Sequence, residues 1–243
     1  MRHRARLRAG WLTFVILALA PLGSVRRAPR TLTSVASEGR VARPLTRKAH
    51  ATEALRATVR RRLAEGGAGT YIGEMLAERD SALARWPDGR GARVTVWIQP
   101  RVALAGWRND DRLAVRNAFL EWGALGLPIH FAFVADSAAA DVHVAFVSHF
   151  AEPISGRTHW TRDEGWWITD ADIVLALHHR SGHALDVDAM HAMALHEVGH
   201  LLGLDHTDDA TSIMAPTVRV RGLSTADRAT VRLLYTLPPG GLR

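Results

Sequence analysis

The segment "HEVGHLLGLDH", residues 196–206, constrains the fold of this 243-residue chain more than any other stretch. His196 and His200 are four residues apart, which places both imidazoles on one face of an α-helix. Gly203 can adopt the left-handed conformation that ends a helix, so the chain can turn and bring His206 back toward the other two. The segment therefore predicts a helix and a following turn that gather three histidines around one point.

Three convergent imidazoles indicate a zinc site. Three protein ligands leave a fourth position for water, which is the arrangement of catalytic rather than structural zinc sites. Glu197 follows the first ligand, so its carboxylate projects beside the metal and can take a proton from the bound water. We therefore expect one catalytic Zn²⁺ held by His196, His200 and His206, with Glu197 as the catalytic residue.

Periodic segments on both sides of this motif predict an α+β fold. Segments that alternate or are rich in β-branched residues predict strands at 93–98, 129–135, 141–147, 156–163 and 171–177. Apolar residues at helical spacing predict helices at 70–86, 109–125, 186–203 and 223–235. This order favours one sheet with helices packed on it.

The N-terminal quarter differs from the rest in charge. Residues 1–62 carry 15 Lys and Arg against 2 Asp and Glu, a net +13, and the remainder carries 16 against 22, a net −6. A folded region with an acidic balance argues against a nucleic-acid partner. The chain has no cysteine, which excludes disulfides, thiol catalysis and cysteine-ligated zinc.

The first residues are typical of an export signal. In residues 1–25 a basic head precedes an apolar run, which predicts a signal peptide, and Pro21 disfavours cleavage after Ala20, so a retained membrane anchor stays open. Residues 26–90 are expected to form a basic tether or pro-segment, and residues 91–243 the catalytic domain. The expected location is secreted, periplasmic or membrane-anchored, with this domain outside the cytoplasm.

The quoted motif matches the signature of the metzincin zinc peptidases, and "SIMAP" at 212–216 resembles their Met-turn, with Met214 beneath the metal. Within that clan, residues 90–237 most resemble the catalytic domain of the matrixins, the matrix-metalloproteinase type. The resemblance implies a mixed, twisted, five-stranded sheet with an active-site helix and a C-terminal helix. It also implies a secreted protease of the extracellular-matrix type.

The same resemblance implies where substrate binds. "GRTHW" at 156–160 is similar to the matrixin edge strand, so Thr158 and His159 are expected to contact a substrate that lies extended beside them. Pro216 and Val218, after the Met-turn, are expected to contribute to the wall of the pocket that accepts the side chain following the cleaved bond.

Four departures from the matrixin pattern are visible. There is no pro-segment cysteine to block the zinc. His149 and His159 stand where a second, structural zinc would bind, but the Asp expected two residues after His149 is missing, so we expect no second zinc. The acidic pair that opens the last helix is reduced to Asp227, which is expected to brace the Met-turn. Thr217 replaces the tyrosine that usually follows the Met-turn proline.

Calcium is a second candidate cofactor. Four acidic residues around one turn offer the oxygen ligands that calcium prefers, although their spacing matches no established calcium loop. They are Asp163, Glu164, Asp170 and Asp172.

These features predict a monomeric, zinc-dependent endopeptidase that hydrolyses peptide bonds in proteins or peptides through a zinc-bound water activated by Glu197. One alternative is a non-enzymatic, zinc-containing binding module on the same scaffold. Such a module would be expected to lose Glu197 or a ligand, and all four residues are present. Another is a zinc hydrolase with a non-protein substrate, which only a cleavage assay separates from a peptidase.

Overall fold

A computed structural model describes residues 47–79, 82–89 and 91–241, with side chains from residue 54 onward. The predicted signal or anchor at 1–25 and the first part of the basic segment lie outside the described residues. Within the described part of the chain, no helix combines the length and the apolar character that crossing a membrane requires.

Five helices and seven strands make up the described region, together with a short 3₁₀ turn at Ser137–Ala139. The helices are α1 (Arg47–Gly66), α2 (Ile72–Glu78), α3 (Asn109–Gly123), α4 (Val187–Leu201) and α5 (Thr225–Leu234). The strands are β1 (Ala82–Leu83), β2 (Arg93–Ile98), β3 (His130–Phe133), β4 (Val142–Val147), β5 (Gly156–Arg162), β6 (Ile168–Ala176) and β7 (Gly240–Gly241).

The main sheet has five strands in the order β3-β2-β4-β6-β5. The first four are parallel to their neighbours, and β5 runs antiparallel to β6 at the edge. The predicted α+β class and mixed five-stranded sheet are therefore confirmed. Because β5 has a neighbour on one side only, the backbone groups on its other side are free to pair with an extended chain.

Helix α4 is largely buried. It contacts α3 on one side and β5 and β6 on the other, so apolar residues are found around most of its circumference. The indole nitrogen of Trp122, on α3, donates to the carbonyl oxygen of Leu195 at 2.9 Å. This contact joins the C-terminal half of α4 to α3.

The helix predicted at 70–86 is wrong in its second half, because α2 ends at Glu78 and the chain continues as the short strand β1. Leu83 and Trp86 are buried from an extended backbone instead. A spacing of three residues is typical of a helix, but a short segment that is buried on both faces can also be extended. The decisive contact is tertiary. The indole nitrogen of Trp86 donates to the carbonyl of Leu201 at 2.9 Å, which satisfies an acceptor that the end of α4 leaves without a helical partner.

The compact region begins well before residue 91. Val59 on α1 and Tyr71 before α2 are buried, and β1 pairs with β7 near the C-terminus. Part of the segment expected as a tether therefore packs on the domain that carries the histidines.

Candidate metal and catalytic site

The turn after α4 depends on Gly203. Its φ of 99° lies in the region that favours glycine. A Cβ at this position would also lie 2.1 Å from the carbonyl oxygen of Ala84. Both the conformation and the close packing therefore require glycine, and together they direct the chain back so that His206 faces the helix.

The three histidines meet at one point. The Nε2 atoms of His196 and His200 are 3.1 Å apart, those of His200 and His206 are 3.2 Å apart, and those of His206 and His196 are 3.3 Å apart. Ligands about 2.0–2.1 Å from a tetrahedral zinc ion lie about 3.3–3.4 Å from one another. The spacing of the three nitrogens fits one zinc ion.

Hydrogen bonds on the far side of two rings fix which nitrogen carries the proton. His196 Nδ1 lies 2.7 Å from the carbonyl oxygen of Ile213, and His200 Nδ1 lies 3.0 Å from that of Leu204. A carbonyl only accepts, so each Nδ1 donates and each Nε2 presents its lone pair to the centre. Lone pairs that face each other at such distances repel unless a cation lies between them.

Burial keeps the same two imidazoles neutral, which is the form that binds a metal. Desolvation lowers the pKa of His200 to about 3, helped by the neighbouring His196. Desolvation also lowers the pKa of His196, against the opposing effect of its hydrogen bond to Ile213.

The Met-turn supports this centre from below. Met214 is fully buried against Gly199 of α4, where an added Cβ would lie 2.3 Å from the methionine sulfur. The buried carboxylate of Asp227 accepts from the backbone nitrogen of Ile213 at 3.0 Å and from the hydroxyl of Ser212. The prediction that Asp227 braces the Met-turn is confirmed.

Glu197 is buried beside the edge strand. Thr158 Oγ1 lies 2.6 Å from Glu197 Oε2 and 3.0 Å from the Glu197 carbonyl oxygen. Burial raises the pKa of the Glu197 carboxyl to about 7, although the hydrogen bond from Thr158 and the charge of Arg157 act in the opposite direction. A carboxyl group with a pKa near neutral can both accept and release a proton at neutral pH.

An open cavity of about 330 Å³ lies between His200 and the edge strand β5. Its lining residues are Arg79, Thr158, His159, Trp160, His200 and Asp205. Two of the residues predicted to bind substrate, Thr158 and His159, are thus in its wall. The other two, Pro216 and Val218, are not among its lining residues, and Pro216 is exposed while Val218 is half-buried.

A family model described as Peptidase M10, matrixin, matches residues 99–236, from the end of β2 through α5. The chain belongs to the matrixin family. Among its relatives, Metalloendoproteinase 1-MMP of Arabidopsis thaliana is 31% identical over 147 residues, which are 52% of this chain and 38% of the relative. Matrix metalloproteinase-C of Caenorhabditis elegans is 29% identical over 49% of this chain and 23% of the relative.

Matrix metalloproteinase-16 of Homo sapiens is 36% identical over 48% of this chain and 19% of its own length. The chain therefore spans well under half the length of these three relatives. The region that matches the family model, residues 99–236, contains the histidine motif. For this region the matrixin family implies zinc, in agreement with the spacing of the three nitrogens.

One contact in this matrixin could not be predicted from its sequence. Arg79, just after α2, forms an ion pair with Asp205 and donates to the carbonyl oxygen of Gly203 at 3.3 Å. Its guanidinium also lies 5.5 Å from the ring centre of Trp160. Since Asp205 directly precedes His206, Arg79 ties the N-terminal segment to the loop that carries the third histidine.

Within residues 54–241, as far as they are described, His196, His200 and His206 are the one group of three or more His, Asp or Glu placed to share an ion. Asp163, from the acidic turn, accepts a hydrogen bond from the backbone nitrogen of Trp167 at 2.9 Å. Calcium binding by this matrixin stays a prediction.

Proposed function

We propose that this matrixin is a zinc-dependent endopeptidase in which His196, His200 and His206 hold one Zn²⁺ and Glu197 is the catalytic base. The observation that carries the proposal is the set of three Nε2 atoms 3.1 to 3.3 Å apart, two of them with their protons fixed on the opposite ring nitrogen. A buried carboxylate on the same helix completes the arrangement.

A zinc ion held by His196, His200 and His206 would lower the pKa of a coordinated water and polarise the carbonyl of the scissile bond. Glu197 accepts a proton as the water oxygen forms its bond to the carbonyl carbon. When the carbon–nitrogen bond breaks, Glu197 passes that proton to the leaving amine. The three histidines hold the ion and take no part in proton transfer during this cycle.

The substrate is an extended stretch of protein or peptide paired with β5. The position of β5 at the edge of the sheet supports this, because its outer backbone groups can form a ladder with an added strand. Thr158 and His159 then adjoin the residues before the cleaved bond, and Pro216 and Val218 those after it. The enzyme acts as an exported monomer, with its N-terminus as a removed signal or a membrane tether.

The test uses the purified full-length chain with a peptide library and a denatured protein as substrates. We expect one zinc per chain, cleavage that a hydroxamate inhibits, and a Glu197→Ala variant that keeps its zinc and loses at least about 100-fold in kcat/KM. Full activity in Glu197→Ala removes this residue from the mechanism. Zinc binding without any cleavage by the wild type points to a binding module or to a non-protein substrate.

A further inference from the structure

We propose that Thr158 is a positioning residue that, together with Gly156, holds the carboxylate of Glu197 in its reactive place. This inference rests on the proposed function, because it assumes that Glu197 is the base. It assigns to the side chain of Thr158 a task other than contact with substrate.

The contact between the two side chains is short and specific. Thr158 Oγ1 lies 2.6 Å from Glu197 Oε2, in the range of a charge-assisted hydrogen bond from a hydroxyl to a carboxylate. Its second acceptor is the carbonyl oxygen of the same glutamate, at 3.0 Å. The hydroxyl therefore contacts Glu197 twice, once at its carboxyl group and once at its backbone carbonyl.

The double contact restrains the glutamate at two points. A hydroxyl has one proton to donate and lone pairs with which to accept. Thr158 Oγ1 lies within hydrogen-bond distance of both acceptors, so the hydroxyl can donate to one of them while it stays next to the other.

Gly156 confines the carboxyl from a second direction. A Cβ added to Gly156 would lie 2.3 Å from Glu197 Oε1 and 2.8 Å from both Cδ and Cγ. Gly156 and Thr158 are two residues apart on β5, so they face the same side of the strand, which is the partly buried side. The glycine leaves the space that the carboxyl group fills, and the hydroxyl fixes its orientation.

The consequence is that one strand performs two tasks. β5 is the strand expected to pair with substrate, and the same strand fixes the base on α4. The distance from the base to the scissile bond is then set by a single element. Displacement of a reacting group by about 1 Å can lower a rate about 100-fold, so such fixing has kinetic value.

The test compares Thr158→Val, which keeps the shape and removes the hydroxyl, with Thr158→Ser, which keeps the hydroxyl. For Thr158→Val we expect kcat to fall about 10- to 100-fold with KM changed less than about threefold, since the hydroxyl acts on the base rather than on bound substrate. Thr158→Ser should recover kcat to within about threefold of the wild type. Zinc content should be the same in all variants.

Thr169→Val is the matched control, because Thr169 is an exposed threonine on the neighbouring strand β6, and its hydroxyl contacts only Thr161 among the described residues. It should retain the kinetic constants of the wild type. Gly156→Ala provides a second approach: its methyl group displaces the carboxyl, so kcat should fall while zinc remains bound.

An active wild type with unchanged kcat in Thr158→Val overturns the inference and leaves the proposed function intact. Equal losses in the Val and Ser variants also overturn it. If the wild type cleaves nothing, the proposed function fails, and the contact is judged from unfolding midpoints of Thr158→Val, Glu197→Ala and the double variant. Non-additive shifts support the contact between the two side chains, and additive shifts refute it.

Discussion

At the scale of single residues, Asp227 shows how one buried carboxylate connects distant parts of the chain. One of its oxygens faces the hydroxyls of Tyr71 and Ser212, and the other faces the backbone nitrogens of Ile213 and Ser224. The N-terminal segment, the Met-turn and the start of α5 therefore share one acceptor. The pKa of the Tyr71 phenol is raised, first by its burial and then by the charge of Asp227.

Two substitutions of Asp227 should show whether its hydrogen bonds or its negative charge stabilises the fold. Asp227→Ala leaves four donors without this acceptor, three of them buried, so we expect the free energy of unfolding to fall by about 3–5 kcal/mol. The loss of unfolding free energy in Asp227→Asn should be less than half of the loss in Asp227→Ala. The amide oxygen of the asparagine can accept from the two backbone nitrogens, and its NH₂ group can donate to the two hydroxyls. Chemical denaturation measures both losses.

Asp163→Asn is the control for this pair, since Asp163 is exposed and its side chain accepts one backbone hydrogen bond. Its unfolding free energy should change by less than about 1 kcal/mol. If Asp227→Asn were as damaging as Asp227→Ala, the negative charge rather than the hydrogen-bond geometry would be what the fold requires.

At the scale of elements, the end of α4 is set by contacts that no local pattern contains. The helix stops where Gly203 passes over the backbone of Ala84, and the indole of Trp86 binds the carbonyl of Leu201. Both partners come from the segment around β1, more than a hundred residues earlier in the chain. The third histidine is therefore placed by packing as well as by the turn itself.

Gly203→Ala tests this packing against simple backbone strain. The left-handed conformation costs an alanine about 1–2 kcal/mol, and the overlap with Ala84 adds about 1–3 kcal/mol. Gly182 is a matched control, because its φ is also positive, at 85°, and nothing lies within 4 Å of an added Cβ. Gly182→Ala should lose only the free energy of unfolding that the backbone strain costs. Equal losses of unfolding free energy in the two variants would show that the close approach of Gly203 to Ala84 does not affect stability. Thermal and chemical unfolding measure the difference.

The elements also show what the sequence could and could not predict. Helices α3, α4 and α5 and strands β2 to β6 were predictable because each has a long apolar or alternating pattern. The i, i+4 spacing of His196 and His200 was enough to expect both rings on one face. The contact between Thr158 and Glu197 was not predictable, since it exists only because β5 is the edge strand beside α4.

At the scale of the whole molecule, the packed region extends beyond the part that matches the matrixin family model. That match begins at residue 99, whereas Val59 is already buried. Three residues of the segment 71–86 contact the region of the site: Tyr71 donates to Asp227, Arg79 pairs with Asp205, and Trp86 donates to the carbonyl at the end of α4. The segment before the catalytic region therefore supports the site, and its Arg79 does so next to Trp160 of β5.

A chain shortened to residues 91–243 should keep the histidine motif and lose this support. Removal of the buried Leu83 and Trp86 alone should lower the unfolding midpoint by about 10–20 °C in a protein of this size. The fragment should also release zinc faster than the full chain in the presence of a coloured chelator, because Asp205 beside His206 loses its partner Arg79.

Arg79→Met in the full chain isolates the effect on zinc release: we expect faster zinc release with a smaller change in the unfolding midpoint. A fragment as stable as the full chain, with the same rate of zinc release, would show that the N-terminal segment only covers the domain.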